Sequence, residues 1–154
     1  MDVRYVNPFL AALVEVLKTM AGVSAERGAL TLKKGLLAPG AVTGMIDLKG
    51  AQAVGSLAIS FSEPAILEIY SKMLGETRPA VDQDVADLVG EITNMVTGGA
   101  KKVFAEQGLE FEMAIPSVLL GKDTEIRHPV DNPTILVPFA TPAGEFFVEV
   151  CFRS

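Results

Sequence analysis

The 154-residue sequence predicts an α/β fold of the α+β type, with helices packed on an antiparallel β-sheet. Three observations predict it. Apolar residues recur at helical spacing in three segments, each bracketed by recognisable start and stop signals. Strand-like runs lie between and after these helices, and two pairs of them are joined by short loops containing glycine. Finally, 49% of the residues are hydrophobic, enough in a chain of this length for one core but not for two. Residues 1–154 are therefore expected to form a single domain.

The first helix covers residues 8–21. Asn7 is placed to cap it, Pro8 occupies the first turn where a missing N–H does no harm, and Gly22 can end it. "ALTLKKGLLAPG", broken by Gly35 and Pro39, reads as an edge strand leading into a bend. "AVTGMIDLKG" and "AVGSLAISFS" follow as an antiparallel pair around a loop at 49–53. In "EPAILEIYSKMLGE", preceded by Ser62, Pro64 and Gly75 bracket a second helix that buries Ile66, Ile69, Tyr70 and Met73. The third and longest helix is expected from Asp82 to about Gln107, with Gly108 as its stop. At 100° per residue, Val85, Leu88, Val89, Ile92, Val96, Gly99 and Val103 fall on its buried side; Asp84, Asp87, Glu91, Asn94, Gly98 and Lys102 face outward. Three strands should follow: "LEFEMAIPSVLLG", then "TILVPFA" and "EFFVEVCF" around the turn "TPAG", with the polar loop "KDTEIRHPVDNP" before that last pair.

Thirteen basic residues against nineteen acidic ones give a net charge of −6, and a phosphate-backbone binder would need a basic face, so nucleic acid is not an expected partner. No uncharged apolar run reaches the roughly 18 to 20 residues of a membrane-spanning helix, and membrane insertion is not expected. A single cysteine, Cys151, can form no internal disulfide, which fits a cytoplasmic location.

Ordinary catalytic constellations are not visible. His128, the only histidine, precedes Pro129 in a polar loop and reads as a surface loop residue; a His-Ser-Asp arrangement assembled in three dimensions stays open. Cys151 lies between Val150 and Phe152 in an apolar strand and reads as core filling. "GLLAPG" and "TGGAKK" have the wrong spacing for a phosphate-binding loop. No metal or other cofactor of the chain's own is expected.

What remains is "GEITNMVTGG", residues 90–99. On spacing alone, Glu91 and Asn94 are explained as a solvated helix face. Their context points further. Asparagine is a mediocre residue for a helix interior, and interior glycine costs about 1 kcal/mol relative to alanine. Gly98, one turn beyond Asn94 on the same side, would let another protein's surface come close. Gly99, on the buried side, would permit close contact between helix and sheet. Laying residues 13–22 over 89–98 also matches Glu15 to Glu91 and Gly22 to Gly98, with Lys18 in the asparagine position. "GSLAISF" and "GEFFVEVCF" match loosely as closing strands, so two half-units could join their sheets into one surface with the helices on one side.

"DVADLVGEITNMVTGGAKKVF", together with "SEPAILEIYSKMLGE" and the opening "MDVRYVNPFLAALVEVLKTMAGV", resembles the CheX branch of the CheC, CheX and FliY phosphatase family of bacterial chemotaxis. The likeness covers nearly the whole chain and includes the pseudo-repeat. The family's helix-borne E-x-x-N falls on Glu91 and Asn94, and the loss of the asparagine at Lys18 agrees with the single-site CheX type. The resemblance implies a phosphatase of a phosphorylated CheY-like receiver: Asn94 orients the attacking water, and Glu91 pairs with the receiver's lysine. The Mg²⁺ is supplied by the receiver. Asp87, Met95 and Gly98 are expected on the partner-binding surface, although a methionine at helical spacing is more often peripheral core. The resemblance further implies a homodimer formed by strand pairing, for which edges near "TILVPFA" are available. The alternative is a receiver-binding adaptor of the same fold that hydrolyses nothing.

Overall fold

A computed structural model describes residues 3–154; Met1 and Asp2, the first two residues of the opening segment, lie outside the described residues. Three helices, α1 (Asn7–Val16), α2 (Glu63–Leu74) and α3 (Gln83–Glu106), pack on one face of an antiparallel sheet. The strands are β1 (Glu26–Arg27), β2 (Thr31–Leu32), β3 (Val42–Lys49), β4 (Val54–Phe61), β5 (Glu112–Met113), β6 (Ser117–Leu120), β7 (Ile135–Ala140) and β8 (Glu145–Arg153). Their order is β1-β7-β8-β4-β3-β5, with β2 also on β7 and β6 also on β3. Two hairpins, β3–β4 and β7–β8, thus meet where β4 pairs with β8 along its whole length, from Val54↔Arg153 to Phe61↔Phe146. The two closing strands of the pseudo-repeat are the two central strands of the sheet.

Strand alternation divides the side chains between two environments. Leu57, Ile59 and Phe61 of β4 and Phe146, Val148, Val150 and Phe152 of β8 join the helices in the main core. Phe9 and Phe104 meet edge to face with ring centroids 5.5 Å apart, while Phe139 and Phe146 stack at 4.9 Å. Ser56, Ala58, Glu149 and Cys151 point to the opposite face, which the 33–41 segment and the 122–133 loop cover.

Helix boundaries follow the expected chemistry except at the first start. Ser62 caps α2 by accepting from the Ala65 amide, Asp82 caps α3 by accepting from the Val85 amide at 3.0 Å, and Gly75 and Gly108 take left-handed conformations just beyond the two ends. Asn7 does not cap α1: Val6 holds the cap position with no side-chain hydrogen bond, and Asn7 is the first helical residue. The segment does run to Gly22, but Leu17–Ala21 forms a wider π turn before it.

Two strand expectations need correction. The run 109–121 makes two strands, because Pro116 has no N–H to continue a ladder and separates β5 from β6. Four strands therefore follow α3. The 30–40 segment contributes only the two residues of β2 and an isolated bridge from Leu37 to Glu125, while β1 precedes it. Both short strands lie on β7, so the edge near "TILVPFA" is covered. Among the described residues no helix is long and apolar enough to cross a membrane.

Candidate functional site

The residues of α3 separate by face much as their spacing predicts. Val85, Leu88, Val89, Ile92 and Val96 are buried, and Asp84, Asp87, Glu91, Asn94, Gly98 and Lys102 are exposed. Toward its C-terminal end the buried stripe shifts to Ala100 and Phe104, leaving Gly99 and Val103 exposed. Gly99 serves a helix rather than the sheet: a Cβ there would stand 3.2 Å from the Ala12 Cβ of α1.

Glu91 and Asn94 stand one turn apart on the outer face, and neither side chain makes a hydrogen bond or ion pair with another described residue. Asp87, one turn earlier, instead accepts from Gln83 Nε2 at 2.8 Å. Met95 is half-buried and packs on the core. Gly98 borders open space, with nothing within 4 Å of a Cβ built there. No contact among the described residues requires that glycine. An amide and a carboxylate, both uncommitted and both on a rigid helix, can orient a small polar molecule and attract a cation.

The helix that carries them is anchored at its start. Arg78 reaches Glu76 at 3.0 Å, Asp82 at 3.3 Å and Asp84 at 2.8 Å, and its guanidinium lies over the Tyr70 ring at 5.4 Å. Its affinity for the proton is raised, first by Tyr70 and further by the two aspartates. Under the site, Thr93 and Thr97 are buried and donate to the carbonyls four residues back, both at 2.7 Å. Spacing alone had given these two threonines no role.

The related segment of α1 is built differently. Glu15 is exposed and accepts from Thr19 at 3.0 Å, and Lys18 lies in the π turn, so the three-residue step from Glu15 no longer follows a regular helix. An open cleft of about 730 Å³ at the far end of α3, lined by Lys49, Lys101, Glu110 and Glu112 among others, takes in neither Glu91 nor Asn94.

His128 is not a surface residue. Its side chain is 7% exposed: Nδ1 faces Ser56 Oγ in a short hydrogen bond, and Nε2 lies 3.0 Å from Glu149 Oε1. Lys33 Nζ lies 2.6 Å from Glu149 Oε2, an ion pair without the alignment of a hydrogen bond. Ser, His and Glu do come together, but Ser56 and Glu149 are fully buried on the back of the sheet, where no substrate reaches the hydroxyl. Cys151 is buried beside them as a small core residue, its thiol directed at the Val130 and Asn132 carbonyls. Among the described residues no cluster of three or more His, Cys, Asp or Glu could hold a metal ion.

A fold of two hairpins joined at their closing strands, with helices on one face only, is shared with a CheC-like superfamily protein from Shewanella sp. PV-4. That crystal structure is 49% identical in sequence and superposes over 100% of both chains with a TM-score of 0.93. The family model described as chemotaxis phosphatase CheX matches residues 42–140, from β3 through α3 to β7, and the chain belongs to that family. The CheY-P phosphatase CheX of Thermotoga maritima is 26% identical over 128 residues, 82% of each chain. The CheX of a CheX–CheY–BeF3–Mg²⁺ complex from Borrelia burgdorferi is also 26% identical, with a TM-score of 0.82 over 99% of this chain and 100% of that one.

Proposed function

We infer that this chain is a response-regulator phosphatase that hydrolyses the aspartyl phosphate of a CheY-like receiver, with Asn94 and Glu91 as its working groups. The observation that carries this reading is the uncommitted Glu91–Asn94 pair, exposed one turn apart on the longest helix. A Thermotoga relative named as a CheY-P phosphatase and a Borrelia relative solved with CheY support the same substrate class.

The division of labour follows from the chemistry. In an acyl phosphate the carboxylate is already a good leaving group, and the receiver's own Mg²⁺ and lysine neutralise charge on the phosphoryl oxygens. What is missing is a water held in line with the phosphorus. The Asn94 carboxamide can accept a hydrogen bond from that water through its oxygen and donate through its NH2, fixing both position and direction. Attack forms the new P–O bond as the bond to the aspartyl oxygen breaks, releasing inorganic phosphate and the receiver carboxylate; the surplus proton passes to solvent. Glu91, one turn earlier, meets the receiver lysine and sets the register of the docked helix. Asp87, Met95 and Gly98 border the contact, with Gly98 admitting the partner surface beside the amide.

The chain would act in the cytoplasm, where receivers reside. Pairing into a homodimer fits the outer edge of β6, which carries exposed Leu120 and lies next to exposed Ile115. Light scattering at micromolar concentration tests the dimer directly.

The reaction is tested by following decay of a phosphorylated receiver in Mg²⁺ with and without the protein. Acceleration that Asn94→Ala abolishes supports the mechanism. Binding to the receiver without any acceleration would make the protein an adaptor.

A further inference from the structure

The step of α3 that carries Glu91 and Asn94 rests on bare backbone. Gly44 of β3 lies directly beneath Thr93, and a Cβ at position 44 would overlap Thr93 Oγ1, stand 3.0 Å from Val89 Cγ1 and crowd Thr93 Cβ at 3.2 Å. Thr93 cannot swing aside freely, because it is fully buried and its hydroxyl donates to the Val89 carbonyl at 2.7 Å. The flanks of the helix are close as well. A Cβ on Gly90 would meet Val118 Cγ2 of β6 at 3.4 Å, and one on Gly99 would meet Ala12 of α1 at 3.2 Å. α3 is thus seated on a floor and between two walls, and only at the floor does a single added carbon collide with a fixed side chain.

The geometry points to Gly44 as a positioning residue for the Glu91–Asn94 pair: its missing side chain sets the height and roll of α3 at the step where the amide and carboxylate project. This rests on the water-positioning reading of Asn94. Gly44 has ordinary strand dihedrals, since it is not among the glycines with positive φ, so backbone conformation gives no reason for glycine here. Its strand neighbours on the same face, Val42 and Ile46, are large and buried, so a side chain at 44 would ordinarily add to the core. Space beneath Thr93 is the remaining reason. A rigid-body error of about 1 Å in an oriented water is enough to lower a rate about 100-fold, whereas a flexible carboxylate–lysine contact tolerates it.

The test is Gly44→Ala, alone and combined with Thr93→Ala, which removes the overlapped hydroxyl. Gly44→Ala is expected to lower kcat for receiver dephosphorylation by about 10- to 100-fold. Affinity for a receiver held active by beryllofluoride and Mg²⁺ should change by much less, and the double variant should recover most of the lost rate. Thr93→Ala alone serves as the control and stays near the parent rate. If Gly44→Ala does not fold, Thr93→Val on the unaltered strand presses a bulkier methyl onto Gly44 and should lower kcat in the same sense by a smaller factor.

A folded Gly44→Ala protein with unchanged kcat overturns the inference, as does a loss that Thr93→Ala fails to rescue. Should the parent protein show no phosphatase activity, the functional reading fails, but the seat is still decided by the amide NMR shifts of Glu91 and Asn94. Displacement in Gly44→Ala and return in the double variant would support it; unmoved shifts would overturn it.

Discussion

On the helix side of the sheet, Glu91 stands exposed and unpaired beside Asn94; on the other side, Glu149 is fully buried, held between Lys33 at 2.6 Å and His128 at 3.0 Å. The same carboxylate serves opposite ends in the two places. In water a carboxylate keeps its hydration until a partner arrives, so it is free for recognition. Out of water its charge is tolerable only when neighbours neutralise it, and those neighbours become ties between distant parts of the chain. Here the ties run from β8 to Lys33 just beyond β2 and to His128 in the loop before β7, with Ser56 of β4 beneath. One face of the molecule leaves these side chains open to solvent, and the other is closed by its own side chains.

The largest expected effect falls on the closed face. Glu149→Ala leaves Lys33 and His128 buried without the carboxylate they face, and breaking such a buried pair costs about 3–5 kcal/mol. For a chain of this size the melting temperature should fall by about 10 °C or more, with receiver dephosphorylation per folded molecule unchanged. A loss of activity without a loss of stability would erase the contrast between the faces. On the open face the pattern reverses. Asn94→Ala should lower kcat by about 100-fold or more while thermal unfolding stays within about 0.5 kcal/mol of the parent, as for a surface substitution.

Glu91→Gln sharpens the role of charge. Its effect is expected at about tenfold in kcat/KM, carried mainly by weaker binding, and the difference from the parent should shrink as salt rises. The smallest effect is the most diagnostic of what a glycine is for. Because Gly98 borders open space within an α-helix, Gly98→Ala should stabilise the isolated protein by about 0.5–1 kcal/mol, seen in urea unfolding. If that position admits a partner, the same change weakens receiver binding several-fold. Stabilisation with unchanged affinity would remove Gly98 from the interface.

The open face was legible in the sequence because its signals are local. Caps, terminal glycines and the 3.6-residue period place α2 and α3 nearly to the residue, and a four-residue window contains both site groups. Where the helical stripe drifts, the reading holds only in part: Gly99 is exposed yet approaches Ala12 of α1, and Phe104 in place of Val103 enters the aromatic cluster. The closed face was illegible for the converse reason. Residues 33, 56, 128 and 149 share no window, and His128 sits among polar loop neighbours that mark it as exposed. Its burial depends on a loop folding back over β4 and β8, which no local pattern encodes.

The sequence by itself determined the α+β class, the termini of α2 and α3, the two hairpins and the outward step of Glu91 and Asn94, since each depends on backbone geometry and solvent contrast within one or two turns. Only the tertiary structure decided that the hairpins join at β4 and β8, that β1 and β2 cover β7, that His128 and Glu149 are buried together, and that α3 rests on Gly44. These depend on contacts between residues dozens of positions apart, where the free energy of packing, and not the propensity of any segment, selects the arrangement.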